Sequence, residues 1–201
     1  MRPLAAAVLL LVAGCVGTGN VPPVQYYVLA DGDRPAEARR AAEGGRVLLV
    51  SPVSVSSFYD TQRLAYSRAE GQRAYYQFAA WTERPGRTLS ELLSRRLGAP
   101  LTTAGVRGDL VLQVRLEELY HDARTAPGVV KLELSAELVD TAGRRLADQR
   151  FSRSAPLTEE NAAAAAAAAG RALTAALDEL AAWCESAARE KQPIVSNLFR
   201  P

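Results

Sequence analysis

Histidine occurs once in the 201 residues, at position 121, lysine and cysteine twice each, and methionine only at position 1. A single histidine excludes a multi-histidine zinc site and the HExxH arrangement, in which two imidazoles one helical turn apart hold the metal. Two cysteines, Cys15 and Cys184, cannot build a disulfide framework. There is no excess of either charge: 24 basic against 22 acidic residues leave a net charge of +2, with no electrostatic footprint for a nucleic-acid backbone. No GxSxG elbow and no SxxK motif occurs. Gly17-Thr18-Gly19 precedes the first strand, whereas a phosphate-binding loop follows one, and Asp31-Gly32-Asp33 lacks the remaining ligands of a calcium loop. Ser135 and Lys131 share a strand face but stand four residues apart, roughly 13 Å at strand rise, too far for a Ser-Lys dyad. His121, next to Asp122, is expected in a loop after a strand over 110–119, as part of a solvated turn. No catalytic residue, metal ligand or cofactor site is predicted.

The N-terminus carries a positive signal. Arg2 precedes an apolar run, Leu4 to Val12, that has the length of a signal-peptide core and falls short of the ~20 residues a membrane span needs. It ends in Val12-Ala13-Gly14-Cys15, which resembles the bacterial lipobox, with cleavage between Gly14 and Cys15 and lipid on Cys15. Because Val16 rather than Asp follows that cysteine, the sorting rule for such lipoproteins implies the outer membrane. No later apolar run reaches about 18 residues, so the mature chain is expected to sit on a bilayer without crossing it. Lipidation at ~0.8 kcal/mol per buried CH₂ gives stable mooring once more than one acyl chain is present.

The expected organisation is a leader over 1–14, a lipidated cysteine and flexible tether over 15–24, one α/β domain over 25–190 and a tail over 191–201. Within the domain, strands are predicted at 25–30, at 46–55 with a bend at Pro52, and as a hairpin over 63–78. Thr88-Leu89-Ser90-Glu91 has the form of a capping box opening a helix with Leu89, Leu92, Leu93 and Leu97 on one face, stopped by Gly98 and Pro100. Strict alternation marks strands around 110–116 and 132–138, and a weaker strand follows near 146–153, forming a meander. A long helix is predicted from Thr158, as its cap, to Arg189; its eight consecutive alanines favour helix and close packing on a sheet. Leu173, Leu177, Leu180 and Cys184 share its buried face, making Cys184 a core thiol. The sum is an α/β fold: a mixed, partly antiparallel sheet with two main helices packed on it, a layered sandwich.

Aromatic residues concentrate in one place. Seven of the thirteen fall between Phe58 and Trp81. Phe58, Tyr59, Tyr66, Tyr75, Tyr76 and Trp81 are the candidates for contact with a partner or apolar ligand, with a core role on one face and a contact role on the other compatible in a hairpin.

The lipobox at Cys15, "YYVL", "FYDTQRLAYS" and "YYQFAAWTERPGRTLSELLSRRL" together resemble the ABC-type transport auxiliary lipoprotein family over roughly residues 25–185. The resemblance implies an outer-membrane lipoprotein with a periplasmic α/β domain and no catalytic set. It also implies, as partners, an MCE-domain protein and an ABC permease and ATPase that move lipids between membranes. Homo-oligomerisation is compatible with docking an extended partner. The alternative is a periplasmic lipoprotein that itself binds a small apolar ligand or lipid against the aromatic segment.

Overall fold

The computed structural model describes residues 21–32 and 46–190. The leader, Cys15 with the first part of the tether, and the tail 191–201 lie outside the described residues. The elements run β1 (Gln25–Tyr27), β2 (Leu48–Val50), β3 (Ser54–Val55), β4 (Arg63–Ser67), β5 (Ala74–Trp81), α1 (Pro85–Leu97), a short 3-10 turn (Thr102–Ala104), β6 (Leu110–Asp122), β7 (Val129–Asp140), β8 (Arg145–Pro156) and α2 (Ala162–Glu190).

All eight strands join one mixed sheet in the order β1-β5-β4-β6-β7-β8, with β2 and β3 also paired to β6. The hairpin β4–β5 and the meander β6–β7–β8 are antiparallel. β1 is parallel to β5, and β2, β3 and β4 lie in turn along β6, parallel to it. The interruption between β2 and β3 falls at Pro52, which has no N–H for a ladder. Ser90 of α1 fills the break: its hydroxyl oxygen accepts from Val53 N–H at 2.9 Å and donates to the Gly86 carbonyl at 2.7 Å.

Alternation decides the layers. Leu110, Leu112, Val114 and Leu116 of β6 and Val130, Leu132, Leu134, Ala136 and Leu138 of β7 share one core with Leu89 and Leu93 of α1 and Leu173, Leu177 and Leu180 of α2. Each such leucine, fully buried, contributes ~1.5–3 kcal/mol. Ala165, Ala168, Ala169, Ala172 and Ala176 are buried too, so the alanine run serves as the close-packing face of α2 against β7 and β8. Cys184 lies in the same core, as expected. Gln113, Arg115, Glu133 and Glu137 take the opposite, wetter face of the sheet. The α/β sandwich read from the element order is the fold observed.

Three local expectations need correction. α1 begins at Pro85 with Arg84 as its N-cap, so Thr88 and Glu91 are inside the helix and form no capping box. Pro85 is preorganised for a first helical position and lacks the N–H that would need a partner there. α2 begins after Asn161, whose Oδ1 accepts from Ala164 N–H at 2.8 Å; Thr158 is three residues too early to cap it. Finally, β6 runs on to Asp122, past the expected end at 119, and a bulge between Leu116 and Glu118 reverses its alternation.

Candidate functional site

The β4–β5 hairpin distributes the aromatic segment over both faces of the sheet. Trp81 enters the main core and Tyr76 packs against it, with the Tyr66 ring tilted on Tyr76 at 5.1 Å between centroids. Tyr59, Phe58 and Tyr75 form a second cluster with Ala65 and Tyr120. There Phe58 stacks on Tyr75 at 4.5 Å and meets Tyr59 edge-on at 5.3 Å, while the Tyr75 hydroxyl donates to the Phe58 carbonyl at 2.6 Å.

Two arginines cover this second cluster. Arg63 sits 4.4 Å above the Tyr75 ring and Arg73 3.7 Å above Tyr120, distances at which a cation is attracted to the ring face. Arg73 also donates to the Tyr59 hydroxyl at 3.1 Å and pairs with Glu118 at 3.1 Å. Burial raises the Tyr59 phenol above its ordinary range against the lowering influence of Arg73. All six sequence candidates are therefore brought into two packed groups, and each is buried or half-buried in the chain.

His121 is not in a loop. It lies on β6 with 2% of its surface exposed; the bulge brings it onto the core face, paired with Val130, and alternation leaves Asp122 on the other. Its Nε2 stands 3.0 Å from the Pro127 carbonyl, an acceptor only, so Nε2 carries the proton; Nδ1 then accepts from the Tyr76 hydroxyl at 2.7 Å. Burial pushes the Tyr76 phenol up to about 12, so it remains a donor. Gly128, at φ 89°, lies close enough to His121 and the Asp122 carbonyl that a Cβ would overlap both. Asp122 on the other face is bound by Arg124 at 2.6 Å and Lys131 at 3.1 Å, and hydrogen bonds from Arg124 chiefly hold its carboxyl well below the usual range. With both ring nitrogens engaged, His121 ties β6 to β5 and to the turn that precedes β7. Ser135 donates to Glu117 at 2.8 Å, so Lys131 and Ser135 serve separate partners.

One feature escaped sequence reasoning. The chain leaving β1 runs beside α2 and leaves an apolar groove of about 660 Å³ lined by Tyr27, Val28, Ala30, Ala166, Gly170 and Thr174, among others. Gly32 N–H donates to Thr174 Oγ1 at 2.8 Å, and Arg96 of α1 bridges Asp31 and Asp178, both at 3.2 Å. The groove walls are some 140 residues apart in the chain, and only Gly170, closing the alanine run, hinted that α2 meets backbone: its Cβ position is 3.0 Å from the Ala30 carbonyl.

Among the described residues no group of three or more His, Cys, Asp or Glu side chains gathers to hold a metal, and no helix is long and apolar enough to cross a membrane. No curated protein matches the sequence at a significant level. A crystal structure of a Xanthomonas campestris protein is similar with a TM-score of 0.74 at 22% identity, over 83% of this chain and 98% of that one. Another, of an uncharacterized protein, gives a TM-score of 0.63 at 14% identity over 81% and 99% of the two chains. At these identities the likeness establishes the fold. The family profile described as the ABC-type transport auxiliary lipoprotein component matches residues 27–181, from the end of β1 well into α2. The chain therefore belongs to the ABC-type transport auxiliary lipoprotein family.

Proposed function

We propose that this chain is a non-enzymatic, lipid-anchored adaptor of an MCE-associated intermembrane lipid transport system, moored through acylated Cys15 on the periplasmic face of the outer membrane, where it docks the transport assembly. The family match over residues 27–181 carries this reading. In support, His121, the single histidine, is committed to structural hydrogen bonds with Tyr76 and the Pro127 carbonyl. Function then rests on position and contact. The ABC permease and ATPase act across the periplasm through the MCE-domain protein, and self-association would add avidity for such an extended partner.

The test is in-cell crosslinking of the acylated chain followed by identification of its partners. Recovery of an MCE-domain protein, lost in Cys15→Ser, supports the proposal; a Cys15→Ser chain that fractionates with membranes as before refutes the anchor, and recovery of no transport component refutes the docking role.

The groove beside α2 favours a second reading, in which the protein itself holds a small apolar ligand, because its volume falls within the roughly 300–1,000 Å³ of ligand clefts. Native mass spectrometry separates the two, since a carrier retains lipid at fixed stoichiometry and an adaptor does not.

A further inference from the structure

Among the described residues, four of the five exposed large hydrophobic side chains are concentrated at one place, Val106 being the exception. Val21, Val24, Tyr26 and Val28 are exposed, Tyr26 by 64% and Val28 by 67%, all within eight residues. Val24, Tyr26 and Val28 are spaced by two, so along extended chain they project to one side, while Leu29 is buried and Tyr27 packs against the core on the other. A strand with one wet face ordinarily places polar residues there, as β6 does with Gln113 and Arg115 and β7 with Glu133 and Glu137. β1, at the edge of the sheet, departs from that rule.

Chain length states what meets this row. Val21 follows Cys15 by six residues and Val24 by nine, so even fully extended their backbones stand no more than about 22 and 32 Å from that of the anchored cysteine. We propose that Val21, Val24, Tyr26 and Val28 form a second membrane contact, seating the β1 edge in the headgroup region of the bilayer that holds Cys15. The proposal rests on the lipidation of Cys15. Short apolar side chains with one tyrosine suit that region, where an aromatic ring with a polar tip is at home and binding grows with the apolar area buried. Acyl chains alone leave the domain free to tumble about its tether; a seated β1 edge fixes one face to the membrane. β8, the opposite edge, then stands about 24 Å away, five strand spacings across the sheet.

The experiment uses the full acylated chain in vesicles of phosphatidylethanolamine and phosphatidylglycerol, with an environment-sensitive fluorophore on Val24→Cys, Val28→Cys or, as control, Asp148→Cys on β8. Acylation is verified by mass. Several-fold stronger quenching by lipid-borne quencher at positions 24 and 28 than at 148 supports the proposal. Acylated, vesicle-bound protein with equal quenching at all three positions overturns it and leaves the anchor standing. Labels at 24 and 28 shielded from aqueous iodide yet untouched by lipid quencher overturn it too, assigning the edge to a protein partner. Protein isolated from cell membranes whose mass shows no acyl group on Cys15 overturns both the anchor and the contact.

Discussion

The Tyr76 hydroxyl and His121 Nδ1 are 2.7 Å apart with their rings nearly parallel, joining β5 to β6 although β4 lies between them in the sheet. Tyr76→Phe leaves a buried imidazole nitrogen unpaired, at a cost of about 1–3 kcal/mol. Thermal unfolding by circular dichroism is expected to show a Tm lower by roughly 2–4 °C per kcal/mol. Gly128→Ala, which drives a Cβ into His121 from a positive φ, is expected to be more damaging than Tyr76→Phe.

Asp122 supplies an acid-side prediction. Its carboxyl is held low, so its contribution to stability is present above the ordinary carboxylate value of about 3.9 and is lost as pH falls below it. Urea unfolding of Asp122→Asn is expected to show lower stability at pH 7 and a shallower loss between pH 4 and 2 than the parent.

Cys184 works in the opposite direction. Burial pushes its thiol up to about 12, while the unfolded chain ionises near 8.5. The folded state therefore binds the proton more tightly, and stability declines as pH rises from about 8.5 towards 12. Cys184→Ala is expected to remove that decline. A thiol reagent is expected to leave Cys184 unlabelled in the native protein at pH 8 and to label it in denaturant.

The caps of α2 can be told apart by substitution. Asn161→Ala removes the acceptor for Ala164 N–H and is expected to cost about 1 kcal/mol, whereas exposed Thr158→Ala changes stability by no more than about 0.5 kcal/mol. Chemical denaturation of the two variants measures both.

These caps show where sequence reading stops. Thr158-Glu159-Glu160 carries every local mark of a helix start, yet Leu157 is buried and the chain bends over 158–161 before Asn161 brings α2 onto β7 and β8. Tertiary packing chose among several residues able to cap. The meander was legible because one wet face and one core face write period-two alternation directly into residues 110–116 and 132–138. His121 was misplaced because a single bulged residue, at Glu117, reverses that period, and nothing in "LEELYHD" marks it. The aromatic crowding at 58–81 was visible, and its division between two faces followed from the hairpin. The groove was not visible, since its walls are 27–32 and 163–178, and no local pattern reports a contact between segments so far apart.

Gly32 and Thr174 are 142 residues apart, whereas β7 pairs with its immediate neighbours in the chain, β6 and β8. Closing a long loop costs more entropy than closing a hairpin, though the cost grows only slowly with length. The meander can thus hold itself together while the segment after β1 is still searching for its place on α2. If the chain is exported N-terminus first and moored through Cys15 as proposed, the part that arrives first would be the part that settles last, and mooring and core formation need not wait for one another.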